Sequence, residues 1–399
     1  MKRGLDKVID LIMICYVISI YIFTYRQGLN VISNALAFIL IGLIWFRFFI
    51  NKEKLKFNKI LLLYLIFILI CAGTIFYAIS PNVSIVKLKT LILLFLFMIS
   101  LETYIDTIDD IKRIMKYFIC AGFITSIYIL VTSNFANIER FGGELGNVNS
   151  IGMIIGISTT FCFYFIIENK RYDYIILFVV MFFNILLTGS RKSVLFIMLN
   201  MMIILFCRNR KSFKKILKII IFMFILLGVV YYALFKIPII YEVIGERFES
   251  LFAFVNGDSA KEGSVYIRAY MTKFGLDMFR NRPFTGYGLD CYRFLLLHDY
   301  GKFTYAHNNY VELMVDTGIF GVTVYYLTHI VAIKDLWYVT EETNNKTLCY
   351  TFIAIIISYI VLSTSLIYYE EKHFAIVLVL SSLIPKILKR MTIEKNELC

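Results

Sequence analysis

The sequence predicts an all-α, polytopic transmembrane bundle of about twelve spans, with one large outer loop containing amphipathic helices. Three observations predict it. Of 399 residues, 60% are hydrophobic and only 17% charged, against roughly 45–50% and about 25% in soluble domains. Apolar windows of about 20 residues, enough to cross ~30 Å of hydrocarbon, recur along the chain. Basic residues segregate to one side of those windows. The first observation excludes a soluble enzyme, because a folded monomer of this length still exposes much of its surface. Four prolines, 21 glycines and the lack of a fixed period exclude fibrous, low-complexity and solenoid architectures.

The first window, 8–25, follows a basic start and has no small-residue cleavage site, so it reads as an uncleaved span. The others lie near 29–50, 59–79, 83–101, 114–133, 148–167, 172–189, 193–207, 215–235, 307–333, 347–368 and 373–388. The eighth and twelfth are short, and the tenth contains His307, Glu312 and Asp316. Three regions follow: spans one to nine over 1–235, an extracytoplasmic loop domain over 236–304, and spans ten to twelve with a cytoplasmic tail over 305–399.

With both termini inside, 25 of the 41 lysines and arginines fall on inner segments, seven on short outer ones and nine in the long loop. The bias follows the positive-inside rule and accounts for most of the net charge of +13 as topology, with no need for a nucleic-acid partner. The eight cysteines are scattered, mostly within apolar runs, and no CxxC or pairing pattern suggests a disulfide framework or metal cluster. Asp106, Asp109 and Asp110 lack convincing ligand spacing and read as a solvated inner loop, so no metal and no cofactor are expected.

The seven outer exceptions are Arg26, Lys87, Lys89, Arg140, Arg191, Lys192 and Lys372. Snorkelling from helix ends is the expectation for Arg26, Lys87, Lys89 and Lys372. Arg191 differs. It lies in Thr188-Gly-Ser-Arg-Lys-Ser193, a hairpin so short that its charge is held at the membrane boundary among hydroxyls, an arrangement suited to an anion.

Residues 236–304 far exceed an ordinary connection of about 4–6 residues. Ile239, Ile240, Val243, Ile244, Phe248, Leu251, Phe252 and Val255 recur at helical spacing opposite Glu242, Glu246 and Glu249, which predicts an amphipathic helix lying on the bilayer surface. A second helix is expected from Ser264 to Asn281, with Arg268, Thr272 and Gly275 on one stripe and Ile267, Met271, Phe274 and Met278 on another. Arg282-Pro-Phe-Thr-Gly-Tyr-Gly288 reads as a turn, and a short third helix as running from Asp290 to His298. His307 then stands at the outer mouth of span ten, followed by Asn308, Asn309, Glu312 and Asp316. Polar clusters at membrane depth are costly and mark sites, and histidine is the usual general base near neutral pH. The plainer alternative is an interfacial ring among lipid headgroups. His298, His329 and His373 read as structural.

In order and type, these residues resemble the signature region of the bacterial O-antigen ligase/polymerase family. The resemblance rests on Arg268, then Asn281-Arg-Pro-Phe-Thr-Gly-Tyr-Gly288, then Ala306-His-Asn-Asn-Tyr-Val-Glu312 and Asp316-Thr-Gly-Ile-Phe-Gly321. Upstream, Arg140-Phe-Gly-Gly143 with Gly146-Asn-Val-Asn149, and Thr188-Gly-Ser-Arg191, add to it.

The resemblance implies a glycosyltransferase of the bacterial cytoplasmic membrane that joins lipid-linked glycans on the outer face. His307 would be the catalytic or substrate-activating histidine; Arg191 and Arg268, with Arg140 as a third, would engage the donor's diphosphate. Polyprenyl-diphosphate-linked oligosaccharides and the bilayer are the implied partners, joined by flippase and chain-length regulator proteins. A polymerase of capsule or O-antigen repeats is the expectation. A ligase to lipid A core or another acceptor is the alternative, and a flippase for the same lipids is disfavoured because no second, related half is seen.

Overall fold

The computed structural model describes residues 2–133, 141–255 and 263–397, and every regular element among them is helical. The helices are α1 Lys2–Phe23, α2 Asn30–Ile50, α3 Lys59–Thr74 with a 3-10 turn Ile75–Tyr77, α4 Pro81–Tyr104, α5 Ile108–Thr132, α6 Val148–Asn169, α7 Tyr174–Leu187, α8 Arg191–Asn209 and α9 Phe213–Lys236. A single turn, α10 Pro238–Ile240, leads through a π-turn Tyr241–Gly245 to α11 Glu246–Val255, α12 Gly263–Asn281 and α13 Tyr292–Tyr300. The chain closes with α14 Asn309–Val339, α15 Lys346–Leu362 and α16 Lys372–Glu397.

Helices are the expected result, because in lipid each backbone N–H and C=O must be satisfied within its own segment. Short polar residues start them. Asn58 accepts the Leu61 amide at 2.8 Å to cap α3, and Thr107 and Asp110 form a capping box on α5. Eight helices among the described residues, α2 to α6, α8, α9 and α14, are long and apolar enough to cross a membrane. The apolar α7 and α15 are shorter. The chain is a multi-pass membrane protein; the expected twelve spans are supported for these eight.

Alternate loops gather at opposite ends of the bundle. At one end Arg47 pairs with Asp6 at 2.7 Å, Arg390 reaches the Asp106 carbonyl and Arg208 the Ile167 carbonyl. There two of the three loop aspartates are engaged by bases, Asp106 by Lys56 and Asp110 by Arg113 at 2.8 Å. At the other end Tyr25 meets Glu371, Phe141 donates to the Leu187 carbonyl and Lys192 to that of Ser365. Residues 237–255 and 263–308 join this second end, where Arg247 meets Arg191 and Tyr287 meets Ile79.

The core runs through α6, α8, α14 and α15, and α6 is buried on nearly every face, whereas α9 is packed on almost none. The segment expected to lie on the bilayer surface instead packs on protein: Ile240, Val243 and Ile244 are buried against α9 and α7. Its helix is broken by the π-turn, where Gly245 approaches α9 so closely that a Cβ would stand 2.4 Å from the Leu234 carbonyl oxygen. The expected stripe on α12 is also buried. Met271 and Phe274 form a small second core with Tyr292, Leu296, Val311 and Val315. Cys291 is fully buried there as well.

Candidate active site

The site is built around the first turn of α14. Asn308 caps the helix, its side-chain oxygen accepting the amides of Tyr310 and Val311 at 3.1 and 3.3 Å. Six residues after Ala306, Glu312 reaches back and accepts the Ala306 amide at 2.6 Å; both residues are buried. His307 is held between these two anchors with φ of +55°, a left-handed conformation that is uncommon in non-glycine residues. Its ring lies 4.1 Å from that of Tyr305, centroid to centroid.

Asn309 joins this turn to the opposite wall. Its amide donates to the Ser363 carbonyl at 2.7 Å, and its side-chain oxygen accepts the amides of Tyr368 and Tyr369 at 3.0 and 3.3 Å. The loop between α15 and α16, which carries Glu370 and Glu371, is thereby tied to the residue pair beside His307.

The remaining signature residues form a scaffold. Asp316, fully buried in α14, accepts the amides of Asp290, Cys291 and Tyr292 at 2.7, 3.1 and 3.0 Å, which holds the start of α13. The turn at 282–288 docks where α14 kinks at Gly318 (φ +66°), with Ile319 donating to the Pro283 carbonyl at 2.8 Å and Tyr287 to that of Val315 at 2.8 Å. A Cβ at Gly318 would lie 2.2 Å from the Phe284 carbonyl oxygen.

These elements line a cleft of about 210 Å³. Tyr305, His307, Asn147, Asn149 and Lys192 line it, together with Tyr25, Lys87, Asp290, Arg293, Glu370 and Glu371. Burial, reinforced by the charges of Arg268 and Lys192, lowers the His307 imidazole to about 4, so the ring is neutral at neutral pH. In the same cleft, burial raises the Glu371 carboxyl to about 7; the hydrogen bond from Tyr25 opposes the rise and the charge of Glu370 adds to it. Burial likewise raises the Asp290 carboxyl, opposed by Lys87 and Arg293.

Of the residues expected from the sequence, His307 lines the cleft, and Arg268 on α12 is near enough for its charge to act on the imidazole. Arg191 opens α8, and its guanidinium donates to the Arg247 carbonyl, while Arg247 donates to the Gly189 carbonyl at 3.3 Å. This exchange fastens the 188–192 turn to α11 and leaves the neighbouring Lys192 on the cleft wall. Arg140 lies outside the described residues.

A family model described as O-antigen ligase matches residues 176–326. That stretch, under two fifths of the chain, is similar to the O-antigen ligase family. No curated protein matches the chain.

The O-antigen ligase match begins in α7 and ends within α14, so it contains Arg191, Arg268 and His307. It also contains Lys192, Asp290, Arg293 and Tyr305 of the cleft, and the other lining residues come from outside it. Asn147 and Asn149 start α6, Lys87 is in α4, Tyr25 follows α1, and Glu370 and Glu371 precede α16. Tyr25, Glu370 and Glu371 had not been expected in a site. Lys87 and Lys372 were expected to snorkel, but Lys87 pairs with Glu370 at 2.5 Å and Asp290 at 3.7 Å, and Lys372 donates to Ser33 and Asn34 of α2 at 2.6 Å each. Arg26 likewise binds the Glu144 carbonyl at 2.9 Å and the Tyr128 hydroxyl at 2.7 Å. His373, expected to be structural, lines the cleft and contacts the Tyr359 hydroxyl at 2.9 Å. Three charges in a row, Glu370-Glu371-Lys372, between two apolar spans were the available signal.

Proposed function

We propose that the chain transfers a glycan from a polyprenyl diphosphate to the hydroxyl of a second glycan, on the outer face of the bacterial cytoplasmic membrane, with both termini inside. The observation that carries this reading is the convergence of His307, Lys192 and the charge of Arg268 on one cleft within an O-antigen ligase match. Outside the membrane no nucleotide sugar is supplied, so the donor must arrive already activated on its lipid. The diphosphate is then the leaving group. Arg268, Lys192 and Arg191 offer the cations to bind it and to stabilise the charge that grows as the glycosidic bond breaks. His307, neutral and held in place by Asn308 and the Glu312 bond, is suited to hydrogen-bond the departing phosphate oxygen. Attack from the opposite face inverts the anomeric centre.

Polymerisation of repeat units for capsule or O-antigen is the preferred form, with a lipid-linked repeat as acceptor. Ligation to lipid A core or another acceptor is the second reading, favoured by the description of the matched family. Purified protein given only defined lipid-linked repeat units tests both. A ladder of longer lipid-linked products supports polymerisation, and transfer only after a separate acceptor is added supports ligation. Donor left unconsumed with either acceptor removes the proposal. In the same assay His307→Ala should lose transfer while inserting normally, and undiminished elongation would take His307 out of the reaction.

A further inference from the structure

A second cavity, of about 310 Å³, lies between α1, α2 and α4 and shares a wall with the cleft: Tyr25, Glu370 and Glu371 line both. Its chemistry changes with depth. Along α2 its lining steps from Asn30 to Asn34 to Ala37, and along α4 from Thr90 to Leu93 and Leu94 to Phe97. Each step is about one helical turn, so the mouth is polar and the interior apolar. A ligand with a sugar head and a hydrocarbon tail matches that gradient.

The two carboxylates on the shared wall differ. Glu370 is held by Lys87 at 2.5 Å, whereas Glu371 accepts the Tyr25 hydroxyl at 2.7 Å and lies 3.5 Å from the His373 ring. Lys372, the next residue, is turned to Ser33 and Asn34. With 14% of its side chain exposed, Glu371 is accessible from both cavities.

Resting on the glycosyl-transfer reading above, we propose that the second cavity holds the acceptor glycan and that Glu371 takes the proton from its attacking hydroxyl. The acceptor oxygen forms its bond to the donor's anomeric carbon as the bond from that carbon to the phosphate oxygen breaks. The electron pair leaves with the diphosphate, and the hydroxyl proton passes to Glu371. Proton acceptors work best when their pKa lies near the operating pH, and burial sets this carboxyl at about 7, while His307 on the donor side is lowered to about 4. The groups facing Glu371 are Tyr25, Lys87 of α4, Tyr305, Tyr359 of α15, and its neighbours Glu370, Lys372 and His373.

The experiment uses the full chain with a defined lipid-linked donor and acceptor. Glu371→Gln should lower kcat by about 100-fold or more with donor affinity unchanged. The acid limb of the wild-type pH–rate profile, centred near pH 7, should vanish in that variant and persist, displaced, in Glu371→Asp. Asn34→Trp, which fills the second cavity, should raise the acceptor KM about tenfold or more without changing donor affinity. A Glu371→Gln enzyme that turns over normally or keeps the acid limb removes Glu371 from proton transfer, and an unchanged acceptor KM in Asn34→Trp removes the cavity. A wild type that neither binds nor consumes the donor overturns instead the glycosyl-transfer reading on which both rest.

Discussion

Glu312 accepts the backbone N–H of Ala306 at 2.6 Å, closing a short loop on which His307 is fixed in a left-handed conformation. Without that bond the buried amide would have no acceptor, and the histidine would be free to relax to an ordinary backbone geometry. Glu312→Ala should therefore cost about 1–3 kcal/mol of stability, the usual penalty for an orphaned buried donor, and reduce transfer as well. Glu312→Gln, which keeps an acceptor oxygen, should retain more of both. Apparent melting in detergent and transfer rate, measured on the same preparations, check this; equal behaviour of the two variants would contradict it.

The charge of Arg268 is one cause of the low His307 pKa, after burial and ahead of Lys192. Removing a nearby cation makes the protonated ring less unfavourable. Arg268→Gln should thus move the His307 midpoint up from about 4 toward the unperturbed value of about 6.5, and added inorganic diphosphate should shift the wild type in the same direction. Histidine ring resonances, assigned by difference from His307→Gln, report the midpoint. A midpoint that does not move would separate Arg268 from His307.

Arginine is specified at 191 and 268 by more than its charge, if a diphosphate is bound there. A lysine provides a point charge where a guanidinium provides a planar fork. Arg191→Lys and Arg268→Lys should each lower transfer about 10- to 100-fold, the scale of one charge-assisted hydrogen bond. Arg191 also donates to the Arg247 carbonyl, so its variant should in addition loosen the 188–192 turn, visible as faster proteolysis or hydrogen exchange there. Wild-type rates in both variants would argue against diphosphate binding.

Gly318 combines a positive φ with a close approach, since a Cβ would lie 2.2 Å from the Phe284 carbonyl oxygen. Gly318→Ala should push the 282–288 turn off α14 and destabilise the protein by at least the roughly 1–3 kcal/mol of the strained backbone alone. A fall of several degrees in apparent melting temperature is the expected readout, and an unchanged value would mean that the turn docks elsewhere.

The sequence was informative where a residue's role is local. The alternation of basic loops marked the two ends of the bundle, and the polar run Ala306 to Glu312 marked the start of α14, because capping and the backward bond from Glu312 act within six residues. Other features depended on distance. Lys87 and Glu370 are 283 positions apart, and a lysine near a span end has the same local pattern whether it meets water or a carboxylate. For that reason the acidic wall of the cleft was missed, and a surface helix was expected where Ile240, Val243 and Ile244 pack against α9.

Asn309 is a single rigid carboxamide whose oxygen binds the Tyr368 and Tyr369 amides, whose nitrogen donates to the Tyr326 hydroxyl at 2.9 Å, and whose own backbone amide is bound to Ser363. The histidine side and the carboxylate side of the cleft are therefore pinned at one point. To admit a branched or bulky sugar, the walls cannot spread independently there: the pin must break, or the top of α14 and the loop before α16 must swing together. The gauge of the opening is set by these four bonds of Asn309, so for the glycan transfer proposed above, selectivity for sugar size is where a change at this position should first be felt.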